Sequence, residues 1–284
     1  MFYASIENEN SKIELGGEYD SPFEFKIESI TGIGQVEADE QVVQYVDMPG
    51  VRTLKRTPKA REIIITGVIE NTGNLEYLKT TSAHVFDNTK LCTLKIDSNG
   101  KRRKIIARPN IYELGAKNQC YQNFVLQLKC DSPFFTDFES TFQRVSFSMP
   151  KLKTPFQLPM VFSQSFSQAD IYNWGDIETQ PLITINCVGS GAGFIIENIT
   201  TGKSINVDYA TSDGEILKID ISSDIPRIIS NVNGDVTRYK SRYTILSEFI
   251  LAVGVNDIKV TKVTGTQKIN VTCEHYNKYI EAVV

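Results

Sequence analysis

Asn173-Trp174-Gly175-Asp176, then Pro181-Leu182-Ile183-Thr184-Ile185-Asn186, then Asn198-Ile199-Thr200-Thr201-Gly202 decide how this chain is read. Asn, Gly and Asp suit turn geometry, and Leu182 to Asn186 alternates apolar with polar, so Asp170–Gly202 reads as turn, strand, turn, strand, turn. The pattern continues through Gly214-Glu215-Ile216-Leu217-Lys218-Ile219-Asp220 and Gly254-Val255-Asn256. Further turn residues recur at Gly189-Ser190-Gly191, Ser212-Asp213-Gly214 and Asn233-Gly234-Asp235, and Arg144 to Met149 alternates cleanly. Short strands at that spacing predict a β-sandwich or jelly roll.

Working outward, Asp131-Ser132-Pro133-Phe134-Phe135-Thr136-Asp137 marks a boundary, because a proline directly after a strand cannot donate to its ladder. The first half is also strand-rich. Arg61–Glu70 is β-branched, Leu91–Asp97 and Lys101–Ala107 flank Asn99-Gly100, and Tyr121–Cys130 places Phe124, Leu126 and Leu128 on one face. Asn-Gly between two strands predicts a tight hairpin. One amphipathic helix is expected over 74–88, capped by Asn74, with Leu75, Leu78, Ser82 and Val85-Phe86 on its inner face and His84 solvated. The expected domains are 1–138 and 139–284.

At 284 residues, 41% of them hydrophobic, the chain has room for a core in each. Its longest apolar runs fall short of the roughly 20 residues of a membrane span. The start, Met1–Glu7, lacks the pattern of a signal peptide, so synthesis in a cytoplasm is expected. Five cysteines and two histidines, His84 and His275, show no ligand spacing, so neither metal nor cofactor is predicted. The net charge of −4 argues against a nucleic-acid binder. Its distribution is uneven. Residues 1–51 hold eleven acids against Lys12 and Lys26, whereas 52–138 hold fifteen bases against eight acids.

The joint order of these features resembles the distal tail protein family of long-tailed bacteriophages. In the second half the resemblance rests on Asn173, Gly175, Asp176 and Pro181, on Asn198 to Gly202, on Gly214 to Asp220 and on Gly254 and Asn256. In the first half it rests on the single helix, the Asn99-Gly100 hairpin and the run Cys130-Asp131-Ser132-Pro133-Phe134-Phe135. It implies a mainly β protein: an amino-terminal β-domain with one helix that forms a hexameric ring, followed by a galectin-like antiparallel β-sandwich. The implied role is a structural hub at the virion tail tip or baseplate. Its partners would be further copies of itself, the tail tube protein, a tail-tip protein and receptor-binding or other baseplate proteins. No membrane is implied, and DNA enters only as passing cargo.

Two basic runs stand out, Arg52, Lys55, Arg56, Lys59 and Arg61, and Lys101-Arg102-Arg103-Lys104 at the hairpin. Neither is interleaved with aromatic residues, so solvated loops are the first reading, subunit contacts the second and DNA the last. A ring uses heterologous contacts, so the acidic segment 1–51 is expected to meet 52–61 and 101–108 of a neighbour. That makes Arg52, Lys55, Arg56, Arg102, Arg103 and Lys104 the candidate subunit contacts. Asp131, Pro133, Phe134 and Phe135 form the domain junction. The carboxylate pairs Asp176/Glu178 and Asp213/Glu215 invite a glycosidase reading, but turn chemistry accounts for Asp176 and Asp213, and no enzyme is expected. Trp174 is either a partly buried sandwich aromatic or a glycan platform. The alternative function is accordingly a stand-alone carbohydrate-binding module for a cell-wall glycan.

Overall fold

Period-two alternation of apolar residues organises nearly the whole chain. The computed structural model describes residues 2–16, 22–46, 49–70, 73–118, 120–145, 166–265 and 268–282. Ser146–Met149, the end of the alternating run noted above, lies outside them. The chain divides into two units, Met1–Phe138 with Tyr279–Val284, and Glu139–Lys278. The terminal segment from Tyr279 thus groups with the first unit, a correction to the expected 139–284. The cause is hydrogen bonding: Ala282 N–H donates to the Ile33 carbonyl at 2.9 Å, and the carbonyls of Ile280 and Glu281 accept from Arg61 and Arg103.

In the first unit the strands are β1 (Phe2–Glu7), β2 (Lys12–Gly16), β3 (Phe25–Thr31), β4 (Ala38–Val43), β5 (Arg52–Pro58) and β6 (Arg61–Glu70). After helix α1 (Leu75–Val85) come β7 (Cys92–Ser98), β8 (Lys101–Lys117), β9 (Tyr121–Cys130) and β10 (Phe135–Asp137). A short strand at Lys278–Tyr279 lies at the edge beside β10, and the order β10-β8-β7-β1-β2-β3-β6-β9 closes on itself, because β8 also pairs with β9. The first half of β8 pairs with β7 and the second half, from Arg108, pairs with β9. The switch falls at a bulge between Pro109 and Ile111, where a residue without an N–H is tolerated. Inside sit Ala4, Ile6, Leu15, Ile63, Ile65, Leu94, Ile96, Phe124, Leu126 and Leu128, all buried. Asn99 and Gly100 have φ of 52° and 81°, the two left-handed residues of a type I′ hairpin, as the sequence predicts.

Helix α1 is shorter than the expected 74–88. The Asn74 side chain makes no capping bond, and at the far end the Asp87 carboxylate accepts from Thr89 N–H (2.9 Å) and Oγ1 (2.7 Å). That local turn competes with a further helical turn. Ser82 is buried and bonds the Tyr112 hydroxyl at 2.7 Å, while His84 is solvent-exposed.

The second unit is an antiparallel sandwich. Its strands are β11 (Thr141–Val145), β12 (Phe166–Asn173), β13 (Leu182–Val188), β14 (Gly191–Asn198), β15 (Lys203–Thr211), β16 (Ile216–Asp220), β17 (Arg227–Ser230), β18 (Gly234–Asp235), β19 (Gly254–Gly265) and β20 (Lys268–His275). One sheet runs β11-β20-β13-β16-β17-β18 and the other β12-β19-β14-β15. Ile183, Ile185, Leu217, Ile219 and Val271 from the first meet Phe194, Ile196, Ile205, Val207 and Val260 from the second in a single core.

Candidate functional site

The family-like residues of the second unit prove to be internal pins. The Asn198 side chain is fully buried; Oδ1 accepts from Thr200 N–H at 3.1 Å, and Nδ2 donates to the Ile250 carbonyl (2.9 Å) and Asn256 Oδ1 (3.1 Å). Asn256 is buried too, accepting from Ala252 N–H and donating to the Ala252 carbonyl, each at 2.8 Å. Asn173 accepts from Gly175 N–H at 3.0 Å and donates to the Ile177 carbonyl at 3.0 Å. Each position uses a donor and an acceptor on separate atoms of one short side chain, as an amide supplies. Gly175 is required for space: a Cβ there would lie 2.5 Å from the Lys278 carbonyl oxygen.

The carboxylates of the pair Asp213/Glu215 are likewise structural. Asp213 accepts from Gly189 N–H at 2.6 Å. Glu215 is buried and accepts from Tyr209 Oη (2.7 Å), Ser212 N–H (2.8 Å) and Ser230 Oγ. Burial pushes its carboxyl pKa up, but the bonds from Ser230, Ser212 and Tyr209 outweigh it and hold the group below its ordinary value. Cys92, Cys130, Cys187 and Cys273 are buried thiols, and burial pushes Cys92, Cys130 and Cys273 up to about 12. They are poor nucleophiles. Among the described residues no cluster of three or more His, Cys, Asp or Glu could hold a metal ion, and no helix is long and apolar enough to cross a membrane.

Trp174 lies on the surface, 60% exposed, and stacks on Tyr172 with ring centroids 5.7 Å apart and planes within 10°. It is therefore not a sandwich-core aromatic. Gln143 fixes the pair from below: its amide accepts from Tyr172 N–H (2.8 Å) and donates to the Tyr172 carbonyl (2.6 Å), standing in for a strand.

In the first unit the two basic runs have different fates. Arg52, Lys55 and Arg56 lie on β5, which among the described residues pairs only with β4. This two-stranded arm is exposed along its length and carries Val42, Tyr45, Val46, Val51 and Leu54 as exposed apolar side chains, Val46 at 90%. Acid and base meet here within one chain: Arg56 pairs with Glu40 at 2.8 Å, and Lys59 with Glu37 (3.3 Å) and Asp39 (3.4 Å). Complementarity expected between subunits is thus partly used within the subunit.

The second run is strand rather than solvated loop. Arg102 pairs with Asp97 at 2.9 Å and stays exposed. The inward-facing Arg103 is buried over the Tyr279 ring, 3.9 Å from its centroid, and donates to the Glu281 carbonyl. Lys104 donates to the Phe138 carbonyl at 2.7 Å. At the junction, Asp131 is exposed, Pro133 and Phe134 are half-buried, and Phe135 is buried.

Sequence reasoning misplaced Arg61, counted above in a solvated basic run. It is 2% exposed, and its guanidinium donates to the carbonyls of Gly32, Gly34 (2.6 Å), Pro133 (2.8 Å) and Ile280 (2.6 Å), 4.7 Å above the Phe135 ring. The signal was present: Arg61, Ile63 and Ile65 share one face of β6, so the alternation that buries the isoleucines buries the arginine.

Residues 174–279 match the family model for the siphovirus-type tail component, C-terminal domain. The crystal structure of the SPP1 Dit protein (gp 19.1), described as a paradigm of the hub adsorption apparatus in phages infecting Gram-positive hosts, superposes with a TM-score of 0.64. It shares 13% identity, over 89% of this chain and 92% of that one. The chain has the fold of a distal tail protein. A chain of the phage P2 baseplate in its activated conformation with Ca matches at TM-score 0.51 and 9% identity, over 96% and 98% of the two chains. The same baseplate with Sr matches at 0.51 and 11% identity, over the same shares. No curated protein matches by sequence. The resemblance seen in the sequence and the mainly β architecture are both borne out.

Proposed function

We propose that this protein is a non-enzymatic hub of a bacteriophage tail tip or baseplate. Its first unit joins further copies into a ring beneath the tail tube protein and above a tail-tip protein. Its second unit offers a sandwich surface to receptor-binding or other baseplate proteins, and the ring's lumen passes DNA as cargo. Such a protein is made in the host cytoplasm and ends in the virion.

The likeness to Dit and baseplate chains supports the reading, and the β4–β5 arm carries it. An isolated two-stranded ribbon is marginal in water, and this one leaves five large apolar side chains uncovered. A neighbouring copy laid against the arm removes both problems. The arm can be excised cleanly, because Lys59 N–H already donates to the Glu37 carbonyl at 2.9 Å across its base. Particle mass and negative-stain images at high concentration and low salt test this. Wild type should form rings with a central hole, and a chain with 38–58 replaced by two glycines should stay folded but monomeric. Equal assembly by the armless chain would sink the assignment of the arm.

The exposed Tyr172–Trp174 pair favours a second reading, glycan recognition by the second unit, because a flat aromatic platform suits a sugar ring. Binding of cell-wall fragments by wild type and its loss in Trp174→Ala would support it; equal binding by both would exclude the platform.

A further inference from the structure

Arg61 is a buried cation whose hydrogen bonds go to main-chain carbonyls rather than to a carboxylate. Such a guanidinium stays charged, and removing it from water is unfavourable unless dipoles surround it. The dipoles come from three distant parts of the chain. Gly32 and Gly34 belong to the segment after β3, Pro133 to the junction, and Ile280 to the carboxy-terminal return. Gly32 can turn its carbonyl inward only because it has no side chain: its φ is +81°, and a Cβ would fall 1.9 Å from the Glu62 carbonyl oxygen.

Arg103 repeats the arrangement one step along, donating to the Glu281 carbonyl with its guanidinium over Tyr279. Ala282 is buried, and its N–H donates to the Ile33 carbonyl. Tyr279 Oη donates to Asp137 at 3.3 Å, and Lys104 holds the Phe138 carbonyl. The segments on either side of the second unit's sequence, ending at Phe138 and starting at Tyr279, are therefore both held in one cluster of the first unit.

We propose that Arg61 and Arg103 form a main-chain-reading site that binds Tyr279–Ala282 as a strap, which docks and leaves as one piece while the barrel stays folded. Three features support release as a unit. Tyr279 adds only an edge strand beside β10, and the barrel closes through β8 and β9 without it. The one fully buried side chain the strap contributes is the small Ala282. When the strap leaves, Arg61 keeps the carbonyls of Gly32, Gly34 and Pro133, so the site remains formed. With the strap docked, the second unit is held at both ends of its sequence; with it released, at one. For a hub that presents partners on that unit, the strap sets how firmly they are held.

Hydrogen exchange of the full chain, read by mass spectrometry, tests the proposal. In wild type, peptides covering 279–282 should open more readily than β6 and β9. Arg61→Met should speed exchange at 279–282 by about tenfold or more, with β7 and β13 unchanged. Ala282→Asp, which leaves both arginines in place, should give the same strap-only pattern. Exchange at 279–282 that stays in step with β6 and β9, or that is unmoved by Arg61→Met, would overturn the proposal. So would loss of protection throughout the first unit in both variants, since the segment would then be an integral part of the barrel.

Discussion

The two units are fixed by different side chains. The second is pinned by short amides that each hold their own turn and also reach a second one: Asn173 on Gly175 and Leu251, Asn198 on Thr200 and Ile250, Asn256 on Gly254 and Asn198. The first is fixed by long cations reaching across the chain, with Arg61 bonded to carbonyls as many as 219 residues away. Amide pins leave a sequence signature, because a turn, its asparagine and its glycine sit side by side. Long-range clamps leave almost none, because nothing near Arg61 names Ile280.

The largest effect should come from breaking an amide pin. Asn198→Asp keeps the shape but removes the donor, setting a carboxylate against the Ile250 carbonyl and Asn256 Oδ1. A buried charge facing acceptors is expected to destabilise the second unit by about 3–5 kcal/mol. Calorimetry of the full chain should show the second unit's transition move down while the first unit's stays in place. A shift of both together would mean that the units do not melt independently, and the contrast between them would lose its energetic content.

What was legible follows the same division. Strand alternation, the Asn99-Gly100 hairpin and the sandwich were open to reading, because each depends on residues within a few positions of one another. The basic run 52–61 was misread as one object, although it spans an exposed arm and the buried start of β6. The period-two face shared by Arg61 and Ile63 separates them. The return of Tyr279–Ala282 to the first unit was not legible at all, since Ala282 is an unremarkable small residue until its site is known. The arm escaped notice for a related reason: its strands alternate weakly because no face of it is buried against the described residues.

A smaller effect, with a pH signature, is expected at Glu215. Its folded-state pKa lies below the ordinary value, so its stabilisation is present above the unfolded pKa, about 4.3, and is lost as pH falls through the lower folded value. Glu215→Gln should weaken the second unit by about 1–2 kcal/mol at pH 7 and flatten that loss, because the charge-assisted bonds from Tyr209, Ser212 and Ser230 become neutral ones. Melting curves between pH 3 and 7 provide the check. An unchanged acid dependence in the variant would place the titrating group elsewhere.

The smallest effect on stability, and the sharpest on assembly, belongs to the arm. Arg52 and Lys55 are exposed with no ion pair among the described residues, so Arg52→Glu with Lys55→Glu should shift melting by less than about 0.5 kcal/mol. If the arm meets an acidic surface of a neighbouring copy, the same pair should impede ring formation at low salt, and wild type should itself weaken as salt is added. Charge reversal separates a structural role of β5 from a contact role. A structural role moves the melting transition and leaves the oligomer alone, whereas a contact role does the reverse. Assembly that survives reversal at low salt would leave the apolar side chains Val42, Tyr45, Val46, Val51 and Leu54 as the arm's means of contact, and would remove charge polarity from the account of the ring.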